Sequence, residues 1–135
     1  MDEEIFVDTN IFLALFLNED NAGDCEEFLI SLNEKNKKPV TTDFVMHSCF
    51  EIVERNLKTI ESLKKAFMFF ANYQNLRIIR LAFEDISGAI EIMENNKLDF
   101  DDSLVVACMK NYGIKELVSF DKHFDKVMGI ERIKI

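Results

Sequence analysis

Scarcity comes first in this chain. One proline, four glycines and no low-complexity tract in 135 residues leave nothing from which to build a linker, so one domain over residues 1–135 is expected. The three cysteines, Cys25, Cys49 and Cys108, lie far apart and are odd in number. That spacing excludes the close pairs of structural zinc sites and redox motifs, and the three read as core thiols. Histidine is limited to His47 and His123, far from each other, and each reads as a structural or surface group. Nothing points to nucleophilic Cys/His catalysis. No apolar run approaches the roughly 20 residues of a membrane span. The first residues, MDEEIFVD, are acidic where a signal peptide is basic, so a cytoplasmic protein with no membrane partner is expected.

Positive charge is also in short supply. Sixteen Lys and Arg stand against 25 Asp and Glu, a net charge of -9, so the molecule as a whole repels polyanions. Any nucleic acid must bind locally. The basic spots are Lys35, Lys37 and Lys38, the pair Arg55 and Lys58, Lys64 with Lys65, and Lys122 with Lys126, each explained equally by a solvated face.

What the chain does hold is apolar: 48% hydrophobic and 11% aromatic residues suffice to fill one core. EIFV at 4–7 is a strand ending in Asp8, and NIFLALFL starts a helix near Asn10. Residues 21–32 continue helically, NEKNKK makes a polar loop, and PVTT at 39–42 is a second strand. Asp43 is placed to cap the helix FVMHSCFEIVERNL, and Thr59 caps another through Phe70, with Phe67, Phe69 and Phe70 in the core. LRIIRL at 76–81 returns as a strand, helices follow at 83–95 and 102–112, ELVSF at 116–120 is a strand, and ERIKI at 131–135 closes the chain at a sheet edge. Alternation of strands and helices predicts an α/β fold: a mostly parallel central sheet of about five strands with helices on both faces.

In such sheets ligands collect at the carboxyl ends of the strands. Asp8 follows the first strand directly, Asp121 follows LVS by one residue, and Asp102 stands at the start of a strongly apolar helix. Three carboxylates from distant segments can thus meet at one sheet edge. Converging carboxylates raise one another's pKa unless a cation intervenes, and a hard divalent ion resolves the conflict. The bland explanation is that Asp8 and Asp102 cap helices and Asp121 begins a turn.

On FVDTNIFLALF at 6–16, DDSLVVACMKNYGIKELVSFDKHFDKV at 101–127 and the closing GIERI at 129–133, the chain resembles the PIN-domain proteins, many of them VapC-like ribonuclease toxins. The resemblance implies a ribonuclease that uses Mg²⁺ or Mn²⁺ for in-line attack of water on an RNA phosphodiester. It implies Asp8, Asp102 and Asp121 as metal ligands and catalytic acids, with an RNA substrate, an antitoxin protein partner and a homodimer as its company. The family's further acid would fall near Ser48. The first glutamate of that helix is Glu51, three residues on and on the same face, which makes Glu51 the fourth expected ligand. Glu54 is the next alternative, Asp99 and Asp101 are extra acids read as loop and cap residues, and Asn10 and Ser119 are placed to orient the ligands.

Two other classes stay open at this stage. A catalytically degraded PIN-like module would act through dimerisation or partner binding. IFLALFL, apolar nearly all round, would then meet a second subunit or an antitoxin peptide, unless it is a central helix packed on every side. A receiver-like phosphatase would want adjacent acids after the first strand and a lysine in ELVSF, and has neither.

Overall fold

The computed structural model describes residues 3–135. Strand β1 (Glu3–Val7) lies at the centre of a five-stranded sheet, with β2 (Lys37–Thr42) and then β3 (Arg77–Ile79) on one side and β4 (Glu116–Val118) and then β5 (Glu131–Ile133) on the other. Every pairing is parallel. Ile5, Phe6 and Val7 point alternately to opposite faces yet all are buried, so both faces of the sheet are covered. Pro39 is tolerated in β2 because β3 begins its pairing only opposite Val40, leaving Pro39 with a strand neighbour on the β1 side alone.

The covering helices are α1 (Thr9–Phe16), α2 (Ala22–Glu34), α3 (Asp43–Leu57), α4 (Ile60–Asn72), α5 (Phe83–Asn96) and α6 (Phe100–Asn111). Helix α1 touches α2, α3 and α4, and every residue from Ile11 to Leu17 is buried or half-buried. This is the centrally packed alternative for IFLALFL. Phe12 sits within a ring of aromatics, 5.0 Å from Phe70, 6.1 Å from Phe69 and 6.4 Å from Phe16 between centroids. Truncating such a side chain to alanine costs about 3–5 kcal/mol. Helix α5 packs on α6 through small residues, where a Cβ on Gly88 would stand 3.6 Å from the Cβ of Ala107. All three cysteines are buried thiols. Among the described residues no helix is long and apolar enough to cross a membrane.

Several boundaries differ from expectation, each for a local reason. Thr42, not Asp43, caps α3: its Oγ1 accepts from Val45 N at 3.0 Å. Asp43 instead accepts from Phe44 N at 2.9 Å and Leu81 N at 3.2 Å, tying the start of α3 to the segment after β3. The strand expected through Phe120 stops at Val118, because the next residues bond to side chains rather than to a neighbouring strand. Those expected over 76–81 and 131–135 shorten to Arg77–Ile79 and Glu131–Ile133. Phe67 is exposed, not core: Ala66 and Phe70, one turn apart, define the buried side of α4, and Phe67 lies about 100° away from Ala66. Asp99 rather than Asp102 caps α6, accepting from Asp102 N at 2.9 Å.

Candidate metal centre

The chain runs from β1 outward to β2 and β3, then crosses back to β4 beside β1. The crevice between the carboxyl ends of β1 and β4 is therefore the point where strand order reverses, the usual ligand position of an open parallel sheet. Asp8 leaves β1 there. Its backbone N–H still pairs with the carbonyl of Val118 at 3.1 Å, while its side chain caps α1, Oδ1 accepting from Thr9 N at 2.8 Å. The other oxygen, Oδ2, accepts from the Ser119 hydroxyl at 2.7 Å.

Ser119, fully buried beyond β4, is the hub of this arrangement. Its Oγ also accepts from Asp121 N at 3.0 Å and from Asn10 Nδ2 at 3.2 Å, and Asn10 Oδ1 accepts from Phe120 N at 3.3 Å. Ser119 thus holds the Asp8 carboxylate directly, and Asn10 holds Ser119. From behind, Arg132 on β5 donates to the Ser119 carbonyl at 3.1 Å while forking onto Asp125 at 2.7 and 3.0 Å. Burial holds the Asp8 carboxyl above its ordinary pKa against the lowering effect of its two hydrogen bonds, and the charges of Asp121 and Asp99 push the same way.

Asp121 opens a short 3-10 helix, Lys122–Lys126, by accepting from His123 N at 2.9 Å. Asp102, in the first turn of α6, has no such capping task, and its carboxyl lies against that of Asp121. Burial first, then the charges of Asp99, Asp121 and Asp8, push the Asp102 pKa up to about 7. The structure therefore accounts for Asp8 and Asp121 as caps but gives Asp102 a position that only a cation or a proton relieves.

These groups line a cleft of about 520 Å³ together with Asp99, Asp101 and, from α3, Ser48, Glu51 and Arg55. Glu51 reaches the rim, but its carboxylate is more than half exposed and turns to His47, 3.7 Å away. Ser48 lines the same cleft and offers a hydroxyl. Glu54 is exposed and is not among the cleft-lining residues. Among the basic spots read from the sequence, Arg55 alone lines the cleft.

His123 is not an isolated surface histidine: it places Nδ1 3.1 Å from Asp121 Oδ1 and 4.0 Å from Asp102 Oδ2. One ligand atom from each of Asp102, Asp121 and His123 falls within 4.8 Å of the others, a grouping that could hold a metal ion. The available signal was the spacing D-x-H-F, in which a buried Phe124 pins a turn that carries the histidine back toward the aspartate.

A family model, the PIN domain, matches residues 5–130. The chain belongs to the PIN-domain family. This PIN domain is 26% identical over 153 residues to Ribonuclease VapC6 of Methanocaldococcus jannaschii, an alignment covering 96% of each chain. Its fold is shared by VapC20 of Mycobacterium tuberculosis, described as a sarcin-ricin loop cleaving toxin, with a TM-score of 0.74 at 19% identity over 90% of this chain and 92% of that one. It is also shared by VapBC2 of Rickettsia felis, solved bound to a DNA fragment from its promoter, with a TM-score of 0.75 at 17% identity over 97% and 98%. At these identities the structural likenesses establish the fold alone.

Proposed function

We propose that this PIN domain is a divalent-metal-dependent endoribonuclease of the VapC type, the toxin of a toxin–antitoxin pair. The observation that carries this reading is the convergence of Asp8, Asp102 and Asp121 in one cleft, with Asp102 held in a repulsive position that does no structural work. The donor set fits the expected ion: clustered carboxylate oxygens suit Mg²⁺ or Mn²⁺. Asp102 and Asp121 would hold the ion directly, with Asp8 beside them, while Glu51 stands on the rim of the cleft beside His47. Bound there, the ion supplies an activated water and neutralises charge developing on a phosphate.

The chain's own groups do the rest. Ser119 and Thr9 engage one oxygen each of Asp8 and so fix its direction, and Asn10 fixes Ser119 in turn. Arg55, the cationic group on the α3 wall, faces a cleft otherwise rich in acids and is placed to hold a phosphate of the bound strand. The named relative supports RNA as the substrate, and the solved toxin–antitoxin assemblies of the same fold support an antitoxin partner. The homodimer belongs to the same reading.

One feature favours the degraded-module alternative: α3 brings no carboxylate into the tight cluster, Ser48 standing where an acid is expected. Incubation of wild type and Asp102→Asn with a generic single-stranded RNA decides between them. The nuclease reading predicts cleavage that requires Mg²⁺ or Mn²⁺, stops with chelator, and falls about 10²-fold or more in the variant. Absence of divalent-dependent cleavage by the wild type leaves the partner-binding module.

A further inference from the structure

We infer that His123 is a direct ligand of the catalytic ion, giving the site a mixed oxygen and nitrogen donor set that selects Mn²⁺ over Mg²⁺. The inference rests on the metal-dependent reading above and deepens it.

The distances fit coordination. Ligand atoms about 2.1 Å from an octahedral ion stand about 3.0 Å apart at right angles and about 4.2 Å apart across it. Nδ1 of His123 is 3.1 Å from Asp121 Oδ1 and 4.0 Å from Asp102 Oδ2, close to those two separations. The histidine is held by the fold rather than by chance. Phe124 beside it is fully buried, and the His123 backbone N–H is fastened to Asp121 at 2.9 Å. The imidazole nevertheless remains largely exposed, at 72% of its free area, with the carboxylates of Asp121 and Asp102 as the acidic groups nearest Nδ1 among the described residues. An ion between these groups would take the place of any proton that Nδ1 shares with them, so the ring can offer the same atom to the metal without moving.

Helix α3 contributes the Ser48 hydroxyl and a Glu51 carboxylate engaged with His47, so the 3-10 helix after β4 supplies what α3 does not. The chemical consequence follows from donor type. Mg²⁺ strongly prefers oxygen and dehydrates reluctantly, whereas imidazole suits the transition metals. Replacing an oxygen ligand by nitrogen shifts preference toward Mn²⁺.

Titration of Mn²⁺ and of Mg²⁺ by calorimetry into wild type and His123→Ala, with pulsed electron paramagnetic resonance of the Mn²⁺-loaded proteins, tests this without any activity measurement. Expected are a ¹⁴N coupling to Mn²⁺ in the wild type that is lost in His123→Ala, a Mn²⁺ affinity about tenfold or more weaker in the variant, and a Mg²⁺ affinity changed less than about threefold. Equal thermal midpoints of the two ion-free proteins show that the variant is folded. Mn²⁺ binding with no ¹⁴N coupling, or coupling retained in His123→Ala, overturns the inference and leaves the metal-dependent nuclease intact. Absence of Mn²⁺ binding in the wild type overturns both.

Discussion

At the scale of single residues, Asp102 is the most informative group. Its folded pKa of about 7 lies above the ordinary 3.8, so between these values the native state binds more protons than the unfolded chain. Stability of the ion-free protein therefore rises as pH falls from about 7 toward about 4, and the raised pKa of Asp8 acts in the same direction. Asp102→Asn removes its share of the repulsion. Because the carboxyl still reaches water, the stabilisation expected at pH 8 is about 1 kcal/mol rather than the full electrostatic value. Urea unfolding at pH 8 and pH 5 checks it: the variant should gain at pH 8 and show less pH dependence, and a loss at pH 8 would contradict the assignment. Divalent ions should have the converse pH preference, binding more tightly as pH rises through about 7, since a ligating carboxylate must shed its proton.

At the scale of elements, the junction into α6 carries both structure and charge in one residue. Asp99 caps the helix and its charge raises the pKa of Asp102. Asp99→Ala should cost about 1 kcal/mol through the lost cap, whereas Asp99→Asn keeps the cap and relieves Asp102, leaving stability equal or higher in urea unfolding. Equal losses for the two variants would mean that the charge, not the cap, matters. This junction also marks the boundary of what the sequence discloses. The order of elements, the parallel sheet and the positions of Asp8 and Asp121 follow from alternating apolar runs that end in acids. Which of Asp99, Asp101 and Asp102 caps α6 does not, because all three are aspartates and cap equally well, and only the start at Phe100 decides. Phe67 was misread because a run of aromatics hides which side of the helix faces inward. His123 was missed because its partners are Asp102 and the turn built by Phe124, contacts that exist only after β4 has paired with β1.

At the scale of the whole molecule, a net charge of -9 sets the terms on which RNA would approach under the proposed function. A basic nuclease gains affinity by releasing counterions and loses it steeply with salt. Here the global field would oppose the polyanion, and attraction would come from Arg55 and an ion held in the cleft. The Michaelis constant for single-stranded RNA should rise less than about threefold between roughly 50 and 200 mM monovalent salt at fixed divalent concentration. A steep rise would mean that RNA is held by many phosphate contacts rather than by few. Whether distant segments of the chain form one ion-binding centre is read directly by calorimetric titration of Mn²⁺ into wild type and Asp121→Asn. Saturable binding in the wild type that Asp121→Asn abolishes or weakens by about 10²-fold is the predicted result; binding that Asp121→Asn leaves unchanged, or no binding by the wild type up to about millimolar ion, would contradict it.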